Sequence, residues 1–378
     1  MKRAYRIHFF SSLLAVSLFC LPQAAWATAP KRIAKPKVDV VFVFDTTGSV
    51  GGLIQAAKTK IWSIVNEIAK GKPTPEIRLG LIGYRDKGDQ YVTTRTDLTG
   101  DLDAVYEKLM AFGADGGGDG PEHVNQALAE AVNQMSWSQG RQALKIIFLV
   151  GDAPPHMDYQ DDVKYMDSCQ QAVKKDIIIH TVQCGTYAAA TQPFRDIAHR
   201  SEGSYMAIAQ TGGAVAVATP YDGDLARLSG ELDRTHLAYG SRADRRASAS
   251  KLEKSRKLAA KAAPEAAAAR ASFRAKAGGV GTKDLLDDAQ SGLVDLDTVE
   301  QKALPEPMRE MNKKERKAYL AQQKAKRDKI KKEIAQVSKK RDAFVKKEMA
   351  KKSGAADSFD AKVIDSIRSK AAKKGIHY

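Results

Sequence analysis

The feature that most constrains the fold of this chain is an alternation of short apolar runs with amphipathic runs between residues 38 and 208. The run 38–45 is β-branched and aromatic, and 53–70 after it has apolar side chains at helical spacing. Alternation of this kind predicts an α/β fold, with a mostly parallel central sheet flanked by helices. The other predicted strands are 77–84, 91–94, 146–150, 177–182 and 204–208. The other predicted helices are 102–112, 121–135, 161–175, 191–200 and, closing the domain, 224–238.

Oxygen-bearing side chains follow these apolar runs. Asp45 ends the first strand, Thr47 and Ser49 follow it, and Asp152 follows the strand 146–150. A glycine-rich loop, residues 115–122, precedes the helix predicted at 121–135. Because ligands bind beyond the carboxyl ends of parallel strands, we expect these side chains to meet at one edge of the sheet.

Carboxylates that meet without an intervening lysine or arginine repel one another unless a cation lies between them. Carboxylate and hydroxyl oxygens are hard donors that suit Mg²⁺, Mn²⁺ or Ca²⁺. The sequence therefore predicts a divalent-cation site, with Mg²⁺ as the first choice. The alternative is that Thr47 and Ser49 only cap the following helix and that Asp45 ends the strand.

The ordered motifs Asp45-x-Thr47-x-Ser49, the glycine-rich loop and Asp152 resemble the von Willebrand factor type A domain of bacterial proteins, over residues 37–240. That family's metal-ion-dependent adhesion site has an Asp-x-Ser-x-Ser loop, a threonine on a second loop and an aspartate on a third. Here Thr47 replaces the first serine and keeps its hydroxyl. No threonine occupies the second loop.

The second loop reads Asp119-Gly120-Pro121-Glu122 and is similar to the Asp-x-Pro-Glu loop of integrin β-subunit domains. That likeness implies that Glu122 is a metal ligand, directly or through water. Asp119 is the second choice, or part of a neighbouring cation site. The resemblance also implies binding of a protein partner, with an Asp or Glu carboxylate of that partner completing the metal sphere.

Catalytic interpretations have less support. The segment 47–51 around Ser49 lacks the first glycine of the Gly-x-Ser-x-Gly nucleophile elbow, and the chain contains no phosphate-binding P-loop motif. His123 and His156 lie near the expected site and are either surface side chains or further ligands, and metal-assisted hydrolysis is the catalytic alternative. We expect a binding protein that is not an enzyme.

The N-terminus predicts export. Residues 1–27 have a basic start, an apolar stretch at 9–21 and a small-x-small cleavage site that ends at Ala27, and 28–36 form a short linker. We therefore expect the periplasm or cell envelope. Cys169 and Cys184 would meet an oxidising compartment there, so they form either a disulfide or a pair of buried thiols.

Charge divides the chain in two. Residues 28–240 contain 22 Lys+Arg and 26 Asp+Glu, whereas residues 241–378 contain 36 and 19. We expect an Ala/Lys-rich, low-complexity linker at 241–304, which is helical or disordered and not packed. A charged helix, solvated or in a coiled coil, is expected at 305–352, and the C-terminal segment at 353–378 has apolar residues that could dock on the domain or on a partner.

This basic, largely helical tail could contact an anionic envelope surface. Nucleic acid is not expected as a partner, because the protein is exported and the tail has few aromatic residues for base stacking. Two functions remain. The first is a divalent-cation-dependent protein-binding module of the envelope, and the alternative is a structural envelope protein that acts through its tail while the metal only stabilises the fold.

Overall fold

The computed structural model describes residues 35–213, 216–277, 282–351 and 358–378. The predicted signal peptide, 1–27, lies outside the described residues, as does most of the linker 28–36. The described strands are β1 (Lys37–Asp45), β2 (Glu76–Tyr84), β3 (Thr93–Thr99), β4 (Leu144–Gly151), β5 (Ile177–Cys184) and β6 (Tyr205–Ile208). They form a single sheet in the order β3-β2-β1-β4-β5-β6, parallel except for the antiparallel edge strand β3.

Helices cover both faces of this sheet and continue beyond it. The predicted fold class, a mostly parallel sheet flanked by helices with a helical C-terminal region, is confirmed. The helices are α1 (Gly51–Ile68), α2 (Leu102–Ala111), α3 (Val124–Asn133), α4 (Tyr165–Lys174), α5 (Ala188–Arg200), α6 (Asp222–Asp233), α7 (Arg242–Lys261), α8 (Pro264–Ala277), α9 (Leu285–Gln290), α10 (Lys313–Met349) and α11 (Phe359–Ala371).

Strand β1 shows why both faces are covered. Its side chains alternate between two hydrophobic clusters, so that Phe42 and Phe44 face α1 and α2 while Val41 and Val43 face α3, α4 and α5. In a parallel sheet with helices on both faces, a central strand is apolar on both sides. The edge strand β3 lacks that signal, because all its residues except Leu98 are polar and at least partly exposed. The short strand expected at 91–94 is therefore wrong in its bounds.

The helix that covers the rest of the α1 face comes from the far end of the chain. Phe359, Val363 and Ile367 of α11 are buried in the same cluster as Phe42 and Phe44. The Phe359 amide donates to the Gly212 carbonyl oxygen at 3.1 Å, just beyond β6. The expectation that a helix at 224–238 closes the domain is thus wrong, because α6 packs on α8 and α10 instead.

The region between α6 and α11 is packed, which corrects the expectation of an unpacked linker at 241–304. Helix α8 lies on α1, where Lys60 Nζ pairs with Glu265 Oε1 at 2.5 Å. Basic side chains from this region also reach buried carboxylates, because a charge that leaves water needs an opposite partner. The pairs are Arg270 with Asp103, Arg274 with Asp233, Arg327 with Asp284, and Arg341 with Asp222.

Helix α10 belongs to the same unit. Its residues Ile330 and Ile334 are buried against α6 and α8, and its buried Arg341 is paired. The long helix predicted at 305–352 is therefore present, but along this buried face it is neither fully solvated nor held in a coiled-coil seam. In the described part of the chain, the helices lack an apolar stretch of the length needed to cross a bilayer.

Cys169 and Cys184 are free and buried, so the disulfide alternative is wrong. Cys169 on α4 belongs to the cluster on the α3 face of the sheet, whereas Cys184 on β5 belongs to the cluster on the α1 face. The sheet separates the two sulfur atoms. Burial raises the pKa of the Cys169 thiol to about 12 and also raises that of Cys184.

Candidate metal centre

The first loop of the candidate centre follows β1. Asp45 Oδ1 accepts hydrogen bonds from the Thr47 amide at 2.9 Å and from Thr47 Oγ1 at 2.6 Å. Thr47 Oγ1 in turn lies 3.3 Å from Ser49 Oγ. Asp45 is fully buried, and its Oδ2 has no partner among the described residues. The turn thus brings one carboxylate and two hydroxyls together and leaves one carboxylate oxygen available.

The second loop approaches the first through glycine backbone. Gly116 and Gly117 both have φ near +80°, and the Gly117 amide donates to the Asp89 carboxylate. A Cβ atom on Gly117 would lie 3.1 Å from Glu122 Oε1 and 3.3 Å from Thr47 Cβ. Glycine is therefore required there by both its φ and the close approach. The same contacts locate the Glu122 carboxylate beside Thr47.

The third loop follows β4 and is tied to the second. The Glu122 amide donates to the Pro154 carbonyl oxygen at 2.9 Å, and the His156 amide donates to the Glu122 carbonyl oxygen at 3.1 Å. Asp152 Oδ2 accepts from Gln210 Nε2 at 2.6 Å, and Asp152 Oδ1 has no partner in the described chain. The three loops therefore form one unit held by backbone hydrogen bonds.

Three buried carboxylates converge in this unit, and no lysine or arginine of the described residues forms an ion pair with them. Burial raises the pKa of Asp45 to about 7, and the negative charge of Asp152 adds to the rise. Hydrogen bonds from Thr47 act in the opposite direction and lower the pKa. Burial, followed by the charge of Asp45 and other aspartates, raises the pKa of Glu122 to about 9. A divalent cation would offset both the cost of burying these charged carboxylates and their mutual repulsion.

The donor set fits a hard divalent cation. Asp45 Oδ2, Glu122 Oε2 and Asp152 Oδ1 are buried oxygens without partners in the described chain, and the Thr47 and Ser49 hydroxyls lie on the same loop. Such unsatisfied buried oxygens are costly and call for an explanation such as an ion. With Glu122 as the second-loop ligand, all five predicted side chains are brought to this edge of the sheet.

Asp119 is the exception among the predicted residues. Its side chain is 59% exposed, and its Oδ1 lies 3.5 Å from His156 Nε2 instead of beside Asp45. Asp86, Asp119 and His156 offer three ligand atoms within 4.8 Å of one another, a second candidate cation position next to the first. Asp119 therefore fits the alternative role in a neighbouring site.

Two contributors were absent from the sequence prediction. Asp86 lies just beyond β2, so inspection of every strand end would have found it. Gln210 lies two residues beyond β6, and its Nε2 also lies 3.2 Å from the Ser49 carbonyl oxygen. No local pattern around Gln210 indicates a role, because its two partners are distant in sequence.

A serine–histidine–aspartate arrangement occurs elsewhere, in the helical region. His236 lies 2.7 Å from Ser248 Oγ through Nε2 and 3.0 Å from Asp284 Oδ2 through Nδ1. Ser248 is fully buried within α7, and the cavity that His236 and Asp284 line measures only about 10 Å³. That is about the space of one water molecule, so a substrate has no access to the serine hydroxyl.

The sheet order, the helices on both faces, and a centre built from the loops after β1 and β4 and the loop between α2 and α3 define a von Willebrand factor A architecture. Residues 39–220 match the family model described as "von Willebrand factor A domain". Residues 39–220 of this chain are therefore a von Willebrand factor A domain.

The curated relatives that this chain matches are much longer, and the chain spans only about an eighth of their length. The chain is 36% identical over 120 residues to von Willebrand factor A domain-containing protein 7 of Rattus norvegicus, and 34% identical over 120 residues to the Homo sapiens protein of that name. These matches cover 32% of this chain and only 12% of each relative. Proximal thread matrix protein 1 of the mussel byssus, in a structure described as having a zinc-occupied MIDAS motif, is similar with a TM-score of 0.36 and 15% identity, over 46% of this chain and 42% of that one.

Proposed function

We propose that this protein is an exported, divalent-cation-dependent protein-interaction module of the bacterial envelope. Domains of this class are generally metal-dependent protein-interaction modules. The observation that supports the proposal is the convergence of Asp45, Glu122 and Asp152, each with a buried oxygen that has no partner among the described residues. A cation bound there would be held by protein oxygens on one side and would be open to a partner on the other.

The candidate ligands differ in charge. Asp45, Glu122 and Asp152 supply negative charge, while Thr47 and Ser49 supply neutral hydroxyl oxygens. We propose Mg²⁺ as the ion, with Mn²⁺ and Ca²⁺ as alternatives, because the donors are all oxygen. Three carboxylates more than neutralise a divalent ion, so a partner carboxylate would be attracted less strongly than at a site with two. We therefore expect the partner to add contacts outside the metal sphere.

The test is calorimetric titration of Mg²⁺, Mn²⁺ and Ca²⁺ into the chain from Thr28 onward. Glu122→Gln keeps the size of the side chain and removes its charge, and we expect it to weaken binding by at least about tenfold. Asp115→Asn is the matched control, since Asp115 lies on the same loop and its side chain is 85% exposed. Binding that is lost in Glu122→Gln and retained in Asp115→Asn supports the site; no binding by the folded protein overturns it.

Partner binding and export require their own measurements. We expect envelope proteins retained on the immobilised chain to be released by a chelator and to be absent with Glu122→Gln. For export, residues 1–30 fused to a reporter that is active only after secretion should give activity, and substitution of Lys2 and Arg3 by glutamate should reduce it. Retention that ignores the chelator would contradict a metal-mediated contact.

The alternative, attachment to an anionic surface through the tail, is supported by the outward face of α10. Lys329, Lys332, Lys340 and Lys347 are exposed there. Deletion of the tail is not a clean test, because α11 contributes to the core of the domain. Exchange of these four lysines for glutamate should abolish binding to anionic vesicles if the alternative holds, and should leave the Mg²⁺ titration unchanged.

We also propose that the protein is not an enzyme. Ser248, the serine hydrogen-bonded to His236, is fully buried, and the cavity that His236 and Asp284 line has room for about one water molecule. Metal-assisted hydrolysis at the candidate centre is the competing view, and its test is turnover of activated phosphate and acyl esters with Mg²⁺ and with Mn²⁺. Hydrolysis that disappears with Glu122→Gln would contradict the proposal.

A further inference from the structure

A second cluster of metal-ligating side chains lies beside the candidate centre. It contains Asp86, which follows β2, Asp119 on the loop between α2 and α3, and His156 on the loop after β4. His156 Nε2 lies 3.2 Å from Asp86 Oδ2 and 3.5 Å from Asp119 Oδ1. Unlike the candidate centre, where all the donors are oxygen, this cluster combines two carboxylates with an imidazole nitrogen.

The separations in this cluster match those of ligand atoms around one small ion. Nitrogen and oxygen ligands lie about 2.0–2.2 Å from a tetrahedral Zn²⁺ and therefore about 3.3–3.6 Å from one another. The three side chains offer ligand atoms that all lie within 4.8 Å of one another. An ion among them would therefore need little rearrangement. The Asp119 side chain is 59% exposed, so an ion can enter from solvent on that side.

The ring nitrogen that faces the two carboxylates has no hydrogen-bond partner in the described chain. His156 is only 4% exposed, and although both carboxylate oxygens are close to its Nε2, neither contact has hydrogen-bond geometry. Asp86 Oδ1 is also buried without a partner among the described residues. Within the same part of the chain, no lysine or arginine pairs with Asp86 or Asp119. An ion bound to all three side chains would satisfy these buried atoms.

The surrounding contacts hold the ring in the state that a metal requires. His156 Nδ1 lies 2.8 Å from Asp158 Oδ1, and because an ionised carboxylate only accepts hydrogen bonds, Nδ1 carries the proton and Nε2 of the neutral ring keeps its lone pair. The ring also stacks on Tyr159, with centroids 4.1 Å apart, and the Tyr159 hydroxyl donates to Asp86 Oδ2 at 2.8 Å. A carboxylate on the outer nitrogen of a ligating histidine is typical of protein metal sites.

We propose that Asp86, Asp119 and His156 bind Zn²⁺. An imidazole nitrogen suits Zn²⁺, whereas Mg²⁺ and Ca²⁺ take oxygen ligands, so the two neighbouring sites select different ions. Three protein ligands leave a fourth tetrahedral position for water or for a donor atom of a partner. The Zn²⁺ site does not depend on the proposed function, because it shares no ligand with the Asp45–Glu122–Asp152 centre.

Calorimetric titration of Zn²⁺ into the chain from Thr28 onward, in excess Mg²⁺, tests the proposal. We expect about one equivalent of Zn²⁺ to bind. Asp158→Asn leaves all three ligands in place and should weaken Zn²⁺ binding by about tenfold, because the ring is then less well oriented. Asp119→Ala removes a ligand at an exposed position and should weaken it by at least as much. His156→Gln removes the nitrogen ligand and should abolish it, with circular dichroism to verify that the variant folds.

Asp115→Ala is the matched control for Asp119→Ala, because Asp115 lies on the same loop and its side chain is 85% exposed. Its Zn²⁺ affinity should equal that of the unmodified chain. Glu122→Gln separates the two sites, since it should weaken Mg²⁺ binding and leave Zn²⁺ binding unchanged. The proposal is overturned if the folded chain binds no Zn²⁺, if Asp119→Ala binds Zn²⁺ like Asp115→Ala, or if Glu122→Gln abolishes Zn²⁺ binding, which would assign the ion to the first centre.

Discussion

Replacement of Phe359 by alanine should destabilise the whole von Willebrand factor A domain, although Phe359 lies far beyond that domain in sequence. The ring is fully buried, with its centroid 6.0 Å from that of Phe42 and 5.9 Å from that of Phe44 on β1. Truncation of a buried phenylalanine to alanine costs about 3–5 kcal/mol, since transfer and cavity terms add. That is a large part of the roughly 5–15 kcal/mol that holds a typical protein folded.

The assay is equilibrium unfolding in urea, followed by far-ultraviolet circular dichroism and by tryptophan fluorescence. Phe344→Ala is the matched control, because Phe344 on α10 is only half-buried and its ring meets Tyr221 edge-on at 6.3 Å. Its loss should cost about 1 kcal/mol, in proportion to the smaller apolar area buried. A chain that ends at Lys351 lacks α11 altogether and should fail to give a cooperative transition.

Two results would refute this reasoning. If Phe359→Ala costs no more than Phe344→Ala, α11 does not contribute to the core of the sheet domain. If the truncated chain unfolds with the same free energy and cooperativity as the intact chain, the sheet does not need α11. Either result would return the segment 353–378 to the status of a peripheral tail.

Three further predictions concern the metal centre and the thiols. Because the pKa values of Asp45 and Glu122 are raised to about 7 and about 9, the metal-free protein binds more protons folded than unfolded. The contribution of these two groups to the free energy of unfolding should therefore be highest near pH 4 and should fall as the pH rises towards 9, and bound Mg²⁺ should reverse that fall. Urea titrations at several pH values, with and without Mg²⁺, measure the fall and its reversal. A free energy of unfolding that does not change with pH would contradict the raised pKa values. Gln210→Ala removes the N–H donor that orients Asp152 and should weaken Mg²⁺ binding about tenfold by calorimetry, whereas an unchanged affinity would limit Gln210 to a structural role. The thiols of α4 and β5 should react with a disulfide reagent only in denaturant, and reductant should leave the melting temperature unchanged; fast reaction of the folded protein would contradict their burial.

The central strands could be predicted because buried parallel strands are continuous apolar runs. Strands β1, β4 and β5 match the predicted segments to within two residues at each end. Edge strand β3 could not be bounded in this way, since its exposed polar residues carry no periodic signal. The difference arises from burial, because only a strand that is buried on both faces needs a continuous apolar run in its sequence.

The candidate centre was predictable to the extent that its ligands follow strands. Asp45 ends β1, Thr47 and Ser49 follow it, and Asp152 follows β4, so strand order alone indicates that they meet. For Asp119, strand order does not predict which of the two candidate cation sites it joins. Only the backbone path of the second loop decides that Glu122 turns towards Thr47 while Asp119 lies beside His156.

The sequence by itself determined the class of fold, the edge of the sheet where the oxygen ligands gather and the change of charge after residue 240. These are properties of local pattern, in which each residue is judged with its near neighbours. Only the tertiary structure decided that Arg270 and Arg341 are buried and paired, that the cysteines lie on opposite faces of the sheet, and that α11 returns to cover β1. Those outcomes depend on contacts between residues more than a hundred positions apart, or on which side of a strand a residue lies. The free energy of burying a side chain there is set by its partners in the fold, and composition does not show which residues those are.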